Sequence, residues 1–338
     1  MVARWRENMD LAESYEKIKL AIVAFTPKFH PVYNPSDSLP EFPSIFGTDF
    51  IIDDGIVVTN EHVIKEFSKL PKPSDCPSDL WPVDCLLLHY IPDIGVVLIS
   101  IDVIGVMGIS QMEHGKVYYG PPKPDVAFVH VKMKNLPHVK VEYNLKEIKE
   151  GKDIATAGFP MGTDTLTAPG YLHQLTPTLQ KGIISAVLPF QCEAPHALMI
   201  NVMVQGGASG SPVFLPETGE VIGVLYAGLE ETRHTKTGLP YEIRKNIEKI
   251  EPSIHSHLFS APTNISYVVP AHYIKNMIKT IKEQIKSKFP EDTLTLDEYI
   301  KQAKKVEIKS GEPPPMKIWK AKEEIKRTIK IENPNMKN

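Results

Sequence analysis

An all-β fold with short helices toward the ends is the class this sequence predicts, and three observations predict it. Apolar, β-branched runs flank an Asp-Gly turn in Phe50-Ile51-Ile52-Asp53-Asp54-Gly55-Ile56-Val57-Val58, a strong hairpin signal. A loop of small residues, Gly206-Gly207-Ala208-Ser209-Gly210-Ser211-Pro212, lies between two further apolar runs. Helical spacing is confined to residues 8–19, 271–287 and 296–308.

The elements follow in order. Leu11, Tyr15 and Ile18 recur at helical spacing, so an amphipathic helix leads in. After the hairpin, Thr59-Asn60-Glu61-His62 reads as a polar corner. Residues 68–82 are Pro-rich and read as irregular. Pro121-Pro122-Lys123-Pro124 blocks helix and delivers an extended chain to Asp125, which heads the apolar strand Val126-Ala127-Phe128-Val129. Residues 229–264 are charged with little periodicity and read as a surface loop. Ile274, Met277, Ile278 and Ile281 then mark a helix over 271–287. The remainder, 288–338, is Lys-rich, broken by Pro313-Pro314-Pro315, and is expected to be partly helical or mobile.

The small-residue loop makes a chemical demand. A serine hydroxyl is a weak nucleophile and needs a base, a group that orients the base, and N–H donors for the oxyanion. His62 and Asp125 stand in contexts that meet it, and Asp84, Asp93 and Asp102 are rival acids on the same stretch. His130 shares the Asp125 strand and reads as structural.

These segments resemble trypsin-like serine proteases, above all the HtrA/Deg-like branch. Val57-Val58-Thr59-Asn60-Glu61-His62-Val63 is similar to its V-T-N-x-H-V segment, and Asp125-Val126-Ala127-Phe128-Val129 to its D-x-A-x-[LIV] strand. Gly207-Ala208-Ser209-Gly210-Ser211-Pro212 resembles its G-N-S-G-G-P loop. Gly158-Phe159-Pro160-Met161-Gly162, Lys181-Gly182-Ile183-Ile184-Ser185 and Gly219-Glu220-Val221-Ile222-Gly223 are similar to further landmarks in the same order. Asp49 stands where that branch has Gly, Ala208 where it has Asn, and Ser211 where it has Gly. No PDZ-type domain is visible in the tail.

The resemblance implies two six-stranded antiparallel β-barrels of trypsin-like type. Residues 1–19 are then a helical lead-in and 20–287 the peptidase unit. Its first barrel spans about 20–135, its second about 139–271, and its terminal helix 271–287. It further implies His62, Asp125 and Ser209 as catalytic residues, with backbone N–H groups of Gly207 and Ser209 as the oxyanion hole. Met203, Val204, Tyr226, Ala227 and Gly228 would bind substrate and favour an apolar side chain at the cleaved bond. The expected activity is serine endopeptidase, acting on a protein or peptide with no metal and no cofactor. The alternative is an idle pseudoprotease that binds peptide without cutting. A homo-oligomer is compatible with the resemblance.

Composition narrows the rest. A net charge of −3 exerts no general pull on nucleic acid or membrane, and the acids interleaved with the tail lysines read as a solvated face. No run is long enough for a transmembrane helix. Cys76, Cys85 and Cys192 form an odd set without zinc spacing. Together with the lack of a signal-peptide core near Leu20–Phe25, this predicts a cytoplasmic protein, with a nuclear one as the variant.

Overall fold

Antiparallel strands dominate the computed structural model, which describes residues 9–28, 45–72, 76–92, 95–108, 123–160, 176–189, 194–234, 258–286, 289–302 and 318–320. The first six strands are β1 (Ile22–Pro27), β2 (Thr48–Asp53), β3 (Ile56–Thr59), β4 (Val83–Ile91), β5 (Gly95–Gly108) and β6 (Ala127–Val131). They pair in the order β5-β4-β1-β2-β3-β6, and a β5–β6 pairing closes the ring. The next six are β7 (Asp153–Gly158), β8 (Thr178–Leu188), β9 (Ala197–Ile200), β10 (Pro212–Phe214), β11 (Val221–His234) and β12 (Leu258–Pro270), closed as β10-β11-β12-β9-β8-β7. The fold is therefore two closed six-stranded antiparallel barrels. A short strand β13 (Ile318–Lys320) adds to the Val97–Ile99 edge of β5.

The local chemistry accounts for these elements. The Asp53-Asp54-Gly55 turn joins β2 to β3, with Gly55 at φ 64°. Ile22, Val23, Ala24 and Phe25 of β1 are all buried, which suits a strand paired on both edges and covered on both faces. One apolar core fills the first barrel and continues through Ala155, Ala157, Phe214 and Val224 of the second, so the barrels share apolar packing across their seam. A second core, built on Ile154, Leu198, Ile200 and Leu225, lies within the second barrel.

Helices frame this body. Helix α1 (Leu11–Ile18) is capped by Asp10, whose carboxylate accepts the Glu13 N–H at 2.8 Å. Helix α3 (His272–Lys286) follows β12 and buries Ile274, Ile281 and Ile285. A further helix over 296–302 sends Leu296 and Tyr299 into the first-barrel core.

Two local expectations change. The corner after β3 is the first turn of a helix, α2 (Glu61–Phe67), with Asn60 in extended conformation ahead of it. The described ends of the stretch read as a loop over 229–264 form a ribbon: Glu230–His234 of β11 pair in register with Leu258–Pro262 of β12. Backbone hydrogen bonding makes such a ribbon without apolar alternation, so the side chains gave no signal. The central part of that loop, 235–257, and the tail over 303–317 and 321–338 lie outside the described residues.

Candidate active site

Two elements of the first barrel bring an imidazole to a carboxylate. Helix α2 is anchored by buried Val63 and Phe67, whose ring meets Phe25 edge-on at 5.1 Å. That contact fixes the first turn, which carries His62. Asp125 lies just ahead of β6, the strand paired with β3. His62 Nδ1 is 2.5 Å from Asp125 Oδ2, and the His62 backbone N–H donates to Asp125 Oδ1 at 3.1 Å. The Asn60 side-chain amide donates to the Asp125 carbonyl at 2.6 Å. Burial opposes ionisation of Asp125, but the His62 ring and the two backbone N–H groups of Glu61 and His62 outweigh it and hold the carboxyl below its ordinary 3.8. An ionised Asp125 places the proton on Nδ1 and leaves Nε2 as the basic nitrogen. The rival acids are engaged elsewhere: Asp84 and Asp102 both pair with Lys28. Asp93 lies outside the described residues.

The second barrel supplies the small-residue loop, between β9 and β10. Its turn is tied down from within, because Ala208 N–H donates to Gln205 O at 3.1 Å and Ser211 Oγ to Ala208 O at 2.6 Å. Gly210 N–H donates to Leu225 O of β11 at 2.8 Å. The first barrel ties it from outside: Thr48 N–H donates to Ser209 O and Thr48 Oγ1 to Gly207 O, each at 2.8 Å. Gly210, at φ 89°, is pressed so closely on β2 that an added Cβ would lie 1.9 Å from the Thr48 carbonyl oxygen. The N–H groups of Gly207 and Ser209 have no hydrogen-bond partner among the described residues. Ala208 is buried in the second core and keeps the turn compact.

Helix α2 and the loop converge on Gly47. An atom at its Cβ position would lie 2.9 Å from Ser209 O and 3.0 Å from Val63 Cγ2, the residue after His62. Helix α2, whose first turn carries the His62–Asp125 couple, thus meets the Ser209 turn at the seam between the barrels.

A model of the trypsin-like peptidase domain matches residues 47–224, more than half of the chain, a span that includes His62, Asp125 and Ser209. The chain belongs to the trypsin-like peptidase family. This trypsin-like peptidase is 28% identical over 182 residues to a probable periplasmic serine endoprotease, DegP-like, of Pseudomonas putida strain GB-1, an alignment covering 53% of this chain and 28% of that protein. A DegP-like protein of Ectopseudomonas mendocina strain ymp is 27% identical over 195 residues, 56% of this chain and 31% of the other. The chain therefore matches less than a third of the length of these curated relatives. The solved structure of the HtrA-type protease AlgW with decapeptide aligns over 82% of this chain and 69% of its own, at 16% identity and a TM-score of 0.45. The barrels stand on their own strand pairing and take nothing from that likeness.

The relatives' periplasmic description overturns the cytoplasmic expectation for this trypsin-like peptidase. The cysteine count misled for a physical reason. Cys76 and Cys85 are buried free thiols on separate segments, packed as small apolar side chains, so their number says little about the surrounding compartment. Cys192 lies outside the described residues. Among the described residues no helix is long and apolar enough to cross a membrane.

The residues expected to meet substrate divide into two groups. Gly228 and Val204 lie side by side, an added Gly228 Cβ falling 3.4 Å from Val204 O. Val204 is buried in the second core, while Met203 is exposed. Tyr226 packs instead on the first-barrel core, tilted against Tyr267 at 6.0 Å. Burial, Tyr267 and the nearby Asp125 charge all raise its phenol. Ala227 and Gly228 pair with Tyr267 and Ser266 of β12, Tyr226 stands at the register shift just before them, and no described strand covers their other edge.

Two participants escaped the sequence reading. Thr48 and Asn60 act through contacts to residues far along the chain, and only their adjacency to recognised motifs pointed at them. Asp49 is fully buried at the foot of the loop, its Oδ1 2.9 Å from the Cβ position of Gly210. Burial pushes its carboxyl well above the usual range; the Thr59 hydroxyl tempers this from outside hydrogen-bonding geometry.

Proposed function

We propose that this chain is a serine endopeptidase that hydrolyses peptide bonds in protein or peptide substrates, with Ser209 as nucleophile. One observation carries the proposal: the His62–Asp125 couple stands on the first turn of α2, and the next residue of that turn, Val63, meets the Ser209 turn beside Gly47. Family membership and the DegP-like relatives support it.

The geometry supports the following course. Ser209 Oγ attacks the scissile carbonyl as His62 Nε2 takes its proton. Asp125 holds the ring by Nδ1 and stabilises the imidazolium that forms. The unpartnered N–H groups of Gly207 and Ser209 receive the oxyanion; losing one such donor typically costs about 10²–10³ in turnover. His62 then protonates the leaving amine, and an acyl-enzyme remains. Water, deprotonated by His62, releases it by the reverse sequence.

The substrate backbone lies along the uncovered edge of β11 at Tyr226–Gly228 as an added strand. Ala227 and Gly228 leave space beside Val204 and Met203, and none of these carries charge, so a medium apolar side chain is preferred at the cleaved bond. Tyr226 serves from the other side, packed near Asp125, and shapes the seam more than the pocket.

Labelling with a fluorophosphonate probe tests the reading. The parent chain is expected to label at Ser209 and to cleave casein, and Ser209→Ala to do neither while keeping its melting temperature. A folded parent that neither labels nor cleaves is instead an idle peptide-binding module.

A further inference from the structure

We infer that Thr48 is a positioning residue for the oxyanion donors, an inference that rests on the proposed role of Ser209. Three hydrogen bonds of Thr48 reach the second barrel, two of them to carbonyls of the loop. Its N–H donates to Ser209 O at 2.8 Å. Its hydroxyl accepts the Phe159 N–H at 2.7 Å and donates to Gly207 O at 2.8 Å. A hydroxyl has a single proton. The Phe159 N–H occupies an acceptor lobe, so the proton is committed to Gly207. The side chain is fully buried, and water cannot substitute at either end.

The consequence lies in which backbone groups are left over. Thr48 engages the carbonyls of Gly207 and Ser209, and Ser211 engages the carbonyl of Ala208 between them. Three consecutive acceptors of the loop are thus held by the protein. In a trans peptide the N–H points opposite to its carbonyl, so fixing the Ala208 carbonyl directs the Ser209 N–H away from Ser211. The carbonyl clamps at Gly207 and Ser209 keep that peptide from rotating. The donors of Gly207 and Ser209 have no competing acceptor among the described residues. The hydroxyl has its place only because residue 158 is glycine: a Cβ there would lie 2.6 Å from Thr48 Oγ1 and 2.2 Å from Ser211 Oγ. Thr48 belongs to β2 of the first barrel and Phe159 follows β7 of the second, so one hydroxyl spans the seam.

The test compares the full-length parent, Thr48→Val, Thr48→Ser and Ser209→Ala by fluorophosphonate-rhodamine labelling over a range of probe concentrations. Valine matches threonine in shape but leaves the Gly207 carbonyl and Phe159 N–H buried without a partner. Thr48→Val is expected to lower the maximal labelling rate about 10–100-fold with little change in half-saturation, since the oxyanion is met after binding. Thr48→Ser restores the hydroxyl and is expected to label within about threefold of the parent. Should Thr48→Val fail to fold by circular dichroism, Thr48→Ala replaces it with the same expectation. A hydroxyl-free variant that labels at the parental rate, or a Thr48→Ser variant that loses as much as it, overturns the inference. An unlabelled parent removes the Ser209 reading itself, whereas a labelled parent indifferent to the loss of the hydroxyl removes this inference alone.

Discussion

Gly210→Ala puts the close approach of the two barrels to a quantitative test. The new methyl would sit 1.9 Å from the Thr48 carbonyl oxygen, against the 3.4 Å at which ordinary contact begins. That oxygen is backbone of β2 and cannot swing aside, so the loop must retreat by more than 1 Å. The residue also occupies φ 89°, a conformation that costs an L-residue about 1–2 kcal/mol. Displacing catalytic groups by about 1 Å costs about 10² in rate. Gly210→Ala is therefore expected to lose at least about 10²-fold in kcat/KM for casein-derived peptides, with a lower melting temperature. Gly151→Ala is the control: its φ of 81° imposes the same strain, but nothing lies within 4 Å of the new methyl, and it stands at the far end of β7 from Gly158. It should lose stability while its kcat/KM stays within about threefold of the parent. If both variants melt alike and Gly210→Ala also keeps its activity, the loop does not depend on close contact with β2.

Three further outcomes are expected. Asp125→Asn should lower kcat by about 10⁴ through the wrong imidazole tautomer, while Asp102→Asn, which only loosens Lys28, should leave peptide cleavage near the parental rate. Equal losses in steady-state assays of the two would reverse the assignment. Asp49 and Asp125 should shape pH stability in opposite senses. Burial raises the folded Asp49 carboxyl, so its contribution is greatest below the ordinary 3.8 and declines as pH rises toward the folded value. Asp49→Asn should therefore gain in melting temperature over the parent progressively from acid to neutral pH, and a constant difference would refute it. The folded Asp125 carboxyl is lowered, so its contribution is present above 3.8 and lost as pH falls through the folded value; Asp125→Asn should narrow its stability gap to the parent on acidification.

Much of this molecule was legible before any coordinates. The Asp53-Asp54-Gly55 turn and its β-branched flanks specify a hairpin locally, and the structure has one. His62, Asp125 and Ser209 could be put forward as a set because each lies in a short motif with its own context. Other features are written in long-range contacts. The sequence Glu61–Phe67 contains good helix formers, yet its helix is secured by Phe67 on Phe25, a partner far upstream. The ribbon of β11 and β12 joins a charged arm, Glu230–His234, to an uncharged one, Leu258–Pro262, and neither shows an alternation to read. Thr48 looks like any strand residue until Gly207 and Phe159 arrive from the other barrel. Asp49 is the opposite case, a visible departure whose setting, fully buried beneath Gly210, only the packing reveals.

The seam that joins the barrels also governs when the chain can act. His62 and Asp125 are placed by the first barrel, Ser209 by the second, and the loop is clamped from β2 across the divide. Neither half alone contains a cutting machine. During synthesis the first barrel emerges with a base and no nucleophile, so a nascent chain cannot digest its neighbours or itself. Under the proposed mechanism, hydrolytic competence arrives only at the final docking step and lapses with the first opening of that interface. Loss of activity on mild heating should therefore precede loss of β-sheet signal, a built-in safeguard against a partly unfolded protease.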